Sequence, residues 1–131
     1  MPKVSAHIGK ELYRTEIKSS SGNIVIADEP HTNGGQDLGF SPKELLVSAL
    51  AACTSATLRM YADRKGWNLE EVSVDVELVR DDAANKTIIK RNLHLTGNLD
   101  DEQRTRLLSI ANSCPVHKIL TNPIAVETEL E

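Results

Sequence analysis

Residues 41–66, SPKELLVSALAACTSATLRMYADRKG, constrain the fold most, because both ends of one long helix are written into them. Ser41, Pro42 and Glu44 take the N-cap, N1 and N3 positions of a capping box. Gly66 stands where a helix ends at C′. Between these ends Leu45, Leu46, Ala49, Ala52, Cys53, Ala56 and Met60 recur at spacings of three and four, which predicts one inward-facing stripe that carries Cys53.

The flanking segments read mainly as strands. Ahead of the helix, short alternating or β-branched runs near 2–8, 12–18 and 23–28 predict a three-stranded antiparallel meander. HTNGGQDLGF (31–40) follows without periodicity and predicts a loop, long enough to suggest a functional one. After the helix, EVSVDVELVR and TIIKRNLHLTG alternate on either side of the turn DDAANK and predict a long hairpin. LDDEQRTRLLSIANS predicts a second helix with acidic residues at its positive end, CPVHKIL a further turn of helix from Pro115, and PIAVETEL a last strand. The order is βββ-α-ββ-α-β. Alternation on so many strands implies an antiparallel sheet with one covered face, hence an α+β class, and 131 residues suit one domain spanning 1–131.

Composition narrows the partners. Charged residues make up 26% and apolar ones 40%, ordinary for a globular chain, and the net charge of −4 comes with no basic run interleaved with aromatics. Nucleic acid is therefore not expected as a partner. MPKVSAHIGK lacks the apolar stretch of a signal peptide, and 18 uncharged apolar residues never follow one another, so the expectation is a cytoplasmic protein with no membrane association. In such a reducing setting two cysteines suit a transient redox disulfide better than a permanent staple.

Cys53, set among alanines in mid-helix, reads by itself as a packed small hydrophobe. Cys114 directly precedes Pro115 at the start of a short helix, where unsatisfied N–H groups lower a thiol pKa; an incidental N-cap cysteine fits it equally. Two thiols on two helices are what a peroxidatic and resolving pair requires, yet their spacing permits that pairing without establishing it. As a nucleophile Cys53 needs a nearby cation, and its own helix offers no obvious one: Arg59 and Lys65 each lie about 120° from its direction on a helical wheel. Arg14, in LYRTEI of the second strand, is the candidate from elsewhere; a solvent-facing strand arginine is its commoner fate. Glu44 could hold an arginine by a bidentate contact, although capping already explains it, and it lies about 13–14 Å from Cys53 along the axis, on the opposite face. If Glu44 serves any Cys53, a partner subunit's is the natural one. His117 could act as a general base or, with the cysteines, as a ligand, but the histidines form no recognised metal spacing.

With ADEPHTNGGQDLGFSP, the long helix and SCPVHKIL in this order, the chain resembles the OsmC/Ohr family of osmotically inducible and organic hydroperoxide resistance proteins. The resemblance implies an OsmC-like α+β fold: an antiparallel sheet wrapped around a central cysteine-bearing helix, in an intertwined homodimer with active sites at the subunit interface. It implies a thiol peroxidase acting on organic hydroperoxides in oxidative-stress defence, without metal or flavin. Cys53 would be the peroxidatic cysteine and Cys114 its resolving partner, joined in a Cys53–Cys114 disulfide that a lipoyl-type dithiol reduces. Arg14 and Glu44 correspond to the charged pair that flanks the thiol. In the hydroperoxide-resistance branch the Glu directly follows the Pro of the helix start; here that place is Lys43, and Glu44 comes one residue later, a turn of about 100°. Two other readings are a non-enzymatic dimeric module that binds an acyl or other hydrophobic ligand, and a redox-signalling protein.

Overall fold

The computed structural model describes all 131 residues, which gather into two compact units, residues 1–46 and 47–131. In the first, β1 (Val4–His7), β2 (Thr15–Ser19) and β3 (Ile24–Ala27) form an antiparallel meander in the order β1-β2-β3. The turn between β2 and β3 closes through the Gly22 N–H donating to Ser19 O at 3.0 Å, with Gly22 at a φ of 93° that favours glycine. The predicted loop 31–40 contains a single 3₁₀ turn, His31–Asn33, and then returns to β3 through one parallel bridge, Phe40 with Ala27. Phe40 N–H donates to Ile26 O at 3.2 Å and Asp28 N–H to Phe40 O at 3.0 Å. Gly35 and Gly39 make that approach possible, because a Cβ at either would collide with the backbone of Glu29 or Ile26.

Helix α1 (Pro42–Lys65) has the predicted bounds for the predicted reasons. Glu44 N–H donates to Ser41 Oγ at 3.2 Å while Ser41 N–H donates to Glu44 Oε1 at 2.9 Å, the two halves of a capping box. At the other end Gly66 takes a φ of 69°, Trp67 N–H reaches Ala62 O and Gly66 N–H reaches Asp63 O, which is a Schellman motif.

The predicted stripe is corrected. The face buried within the chain is Leu50, Thr54, Leu58 and Ala62, whereas Leu46, Ala49, Ala52, Ala56 and Met60 are exposed; Leu45 and Cys53 are half-buried. The helix is apolar on two faces, so periodicity marks a stripe without deciding which one the chain itself covers.

The second unit packs that face against the rest of its chain. Strands β4 (Glu71–Asp81) and β5 (Lys86–Thr96) make the long antiparallel hairpin, a second sheet separate from the first, with Val74 opposite Leu93 and Val76 opposite Arg91. Helix α2 (Asp101–Ala111) begins at a second capping box, Asp100 with Gln103, and α3 (Pro115–Leu120) begins at Cys114. Leu58, Ala62, Leu69, Leu99, Leu107 and Ala111 form the core, and half-buried Val72, Leu93 and Leu95 of the hairpin close over it.

The predicted last strand is also corrected. Residues 123–130 adopt no regular structure and are exposed. Ile124 and Val126 supply the alternation, but a strand exists only where a neighbour takes its hydrogen bonds, and β4 and β5 pair with each other alone.

Candidate functional site

Cys53 lies midway along α1, half-buried, one residue before the buried Thr54. Cys114 is fully buried and caps α3, its sulfur accepting the His117 N–H at 3.4 Å, so the predicted placement beside unsatisfied N–H groups holds. The fold places the two thiols beside each other, and both are free.

Their electrostatics are unequal. Burial pushes the Cys53 thiol up, and its hydrogen bond to Cys114 and the charge there push it further, against the Val116 N–H and the Thr57 hydroxyl. Burial also works against a Cys114 thiolate, but the Cys53 thiol and the N–H groups of His117 and Val116 outweigh it and hold Cys114 below its ordinary value. Of the two thiols Cys114 is therefore the more acidic.

Arg59, Arg64 and Lys65 of α1 are engaged elsewhere, in line with the wheel argument. Arg59 donates to the carbonyls of Leu69 and Glu70 and pairs with Asp63 at 3.5 Å. A cation that the sequence reading missed stands beside the cysteines. Arg91 Nη1 donates to Thr54 Oγ1 at 3.0 Å, and Nη2 donates to Asn112 Oδ1 at 2.9 Å and lies 3.2 Å from His117 Nδ1. Burial, then the Arg91 charge, hold His117 below its ordinary value, so its neutral ring accepts from Arg91 through Nδ1. The signal for Arg91 was present: it occupies the inward register of β5 between Ile89 and Leu93, where an alternating strand calls for an apolar side chain.

A cavity of about 440 Å³ opens beside this cluster. Leu50, Ile89, Leu93 and Leu108 give it apolar walls, and Arg91 and His117 its polar end.

The remaining predicted residues belong to the first unit. Arg14 immediately precedes β2 and is half-buried, with no carboxylate of that unit paired to it. Glu44 serves the capping box, where the Ser41 N–H and hydroxyl hold its carboxyl below the ordinary range. Asp28, also unforeseen, organises this region. Its buried carboxylate accepts from Tyr13 N–H at 3.1 Å, Glu29 N–H at 2.7 Å and Leu38 N–H at 3.1 Å, which fixes the residue before Arg14 and the loop leading to α1.

Two antiparallel sheets, a long capped helix and a second thiol at the start of a short helix define a cysteine-centred α+β protein of the OsmC kind. The chain belongs to that family: the model for the OsmC-like protein family matches residues 34–129. The organic hydroperoxide resistance protein-like 2 of Staphylococcus saprophyticus is 28% identical over 137 aligned positions, covering 92% of this chain and 96% of that one. The crystal structure of the organic hydroperoxide resistance protein OhrB of Bacillus subtilis, 25% identical, matches 100% of this chain and 98% of its own at a TM-score of 0.64. An OsmC-like protein from Mycoplasma pneumoniae, 20% identical, shares the fold at a TM-score of 0.78 over 92% of this chain and 86% of its own.

Proposed function

We propose that the protein is a cytoplasmic thiol peroxidase that reduces organic hydroperoxides. The observation that carries this reading is the contact between two free thiols on separate helices, Cys53 half-buried and Cys114 fully buried. An oxidant reaches the more accessible sulfur, and the second waits beside it. The Cys53 thiolate attacks the O–O bond, takes one oxygen to become a sulfenic acid and releases an alkoxide, which a proton converts to the alcohol. The Cys114 thiol then condenses with the sulfenic acid, forming the disulfide and releasing water. A dithiol of the lipoyl type restores both thiols and leaves as a cyclic disulfide.

The apolar walls of the neighbouring cavity suit an organic substrate better than hydrogen peroxide. Two relatives named for organic hydroperoxide resistance support the same substrate class. Because burial and Cys114 both raise the Cys53 thiol, catalysis calls for a further cation to favour its thiolate, and Arg14 is the proposed source, with Glu44 as its proposed partner. The exposed apolar face of α1 supports assembly as a homodimer.

In a coupled assay with tert-butyl hydroperoxide and a dithiol, Cys53→Ser is expected to abolish turnover. Cys114→Ser is expected to complete the first step once and then accumulate sulfinic acid at Cys53, read by intact mass. Full turnover by the Cys53→Ser protein would overturn the assignment.

A further inference from the structure

Arg91 is an unusual occupant of its position. The inner face of β5 otherwise carries Ile89, Leu93 and Leu95, and the residue opposite Arg91 is Val76. A guanidinium on such a face costs desolvation free energy unless its N–H groups find acceptors. Arg91 finds three and none is a carboxylate, so neutralising charge is not what the contacts accomplish. Each belongs to a different stretch of chain, and each stretch bears on a cysteine. Thr54 follows Cys53 directly on α1, Asn112 stands two residues before Cys114 at the end of α2, and His117 lies in the first turn of α3 and donates its own N–H to Cys114.

We propose that Arg91 is a positioning residue for the thiol pair: its planar guanidinium ties α1 beside Cys53 to both flanks of Cys114, and so holds the two sulfurs in register for disulfide formation. This inference rests on Cys53 and Cys114 being a redox couple. The fork geometry matters more than the charge, because one rigid group fixes the mutual placement of three separate segments. Closing the disulfide draws two neighbouring sulfurs to a bond of about 2.05 Å, a small movement only if α1 and α3 are already aligned. Without the tie, the first turn of α3 and the end of α2 are free to drift from α1. Cys53 sulfenic acid then persists long enough to meet a second peroxide.

The test compares wild type with Arg91→Met, which keeps the length of the side chain and removes every donor, and with Arg91→Lys, which keeps the charge and loses the fork. Disulfide closure is timed by quenched-flow intact mass after a pulse of tert-butyl hydroperoxide and, separately, after diamide, which oxidises thiols without a peroxide. Circular dichroism confirms folding. Loss of the charge-assisted hydrogen bonds predicts closure slowed by about tenfold or more in Arg91→Met. That slowing should appear relative to sulfenic-acid formation in the same protein, with more sulfinic acid at Cys53 and a Cys53–Cys114 couple that dithiothreitol reduces more readily. Arg91→Lys is expected to fall between the two. Closure at the wild-type rate in folded Arg91→Met would overturn the inference and leave the peroxidase reading standing. Arg91-dependent closure with diamide but none with the hydroperoxide would uphold the tie and defeat the peroxidase reading. No closure of wild type by either oxidant would overturn both. Should Arg91→Met fail to fold, Asn112→Ala and Thr54→Val each cut one arm and are expected to slow closure to a smaller degree.

Discussion

Asp28 is buried, yet its carboxyl is held below the ordinary range. Burial alone would raise it, but the N–H groups of Leu38, Glu29, Tyr13 and Gln36 all point at the two oxygens and prevail. Since its folded pKa lies below the unfolded value of about 3.9, ionised Asp28 stabilises the fold above that value, and the contribution fades as the pH falls through the lower folded one. Asp28→Asn presents an amide to donors that need acceptors. It is expected to melt below wild type at neutral pH and to show a shallower loss of melting temperature below about pH 4, read by circular dichroism; parallel pH curves would refute the account. The sequence shows an Asp after a β-branched run and nothing of the four donors, because they come from residues up to fifteen positions away. Cys114 was more legible, since its place before Pro115 sets its backbone neighbours locally. Its direct partnership with Cys53 was not, because it depends on how α1 and α3 meet.

At the scale of elements, helix α1 and the β4–β5 hairpin were legible from local chemistry. Caps act within a few residues, and strand alternation repeats every second one, so both signals survive in a sequence read alone. The buried face of α1 did not survive, because apolar residues line two sides of it. Leu58 is the test of the corrected face: it is fully buried against Leu107 and Ala111, whereas Met60 is 61% exposed. Leu58→Ala is expected to cost about 2–5 kcal/mol in urea unfolding, and Met60→Ala far less. A larger loss at Met60 would restore the stripe that periodicity predicted. The final strand failed for a related reason: alternation describes a side-chain pattern, whereas a strand also requires a neighbour.

For the molecule as a whole, the second apolar face of α1 matters most. Leu46 and Met60 are large, exposed and on the same helix as the cysteine. In the proposed homodimer that face is covered, so Met60→Glu is expected to shift the assembly toward monomer in sedimentation velocity. An unchanged sedimentation coefficient would show that another surface, or none, makes the contact. By itself the sequence determined the α+β class, the order of elements through α3, the bounds of α1 and the two cysteine positions, because each rests on interactions among residues close along the chain. Tertiary structure alone decided which face of α1 is buried, that Cys53 and Cys114 lie beside each other, and that Arg91 ties their helices together. These depend on contacts far apart along the chain, 37 residues for Arg91 with Thr54 and 61 for Cys53 with Cys114. Periodicity places a residue on a face, and only packing selects what that face meets.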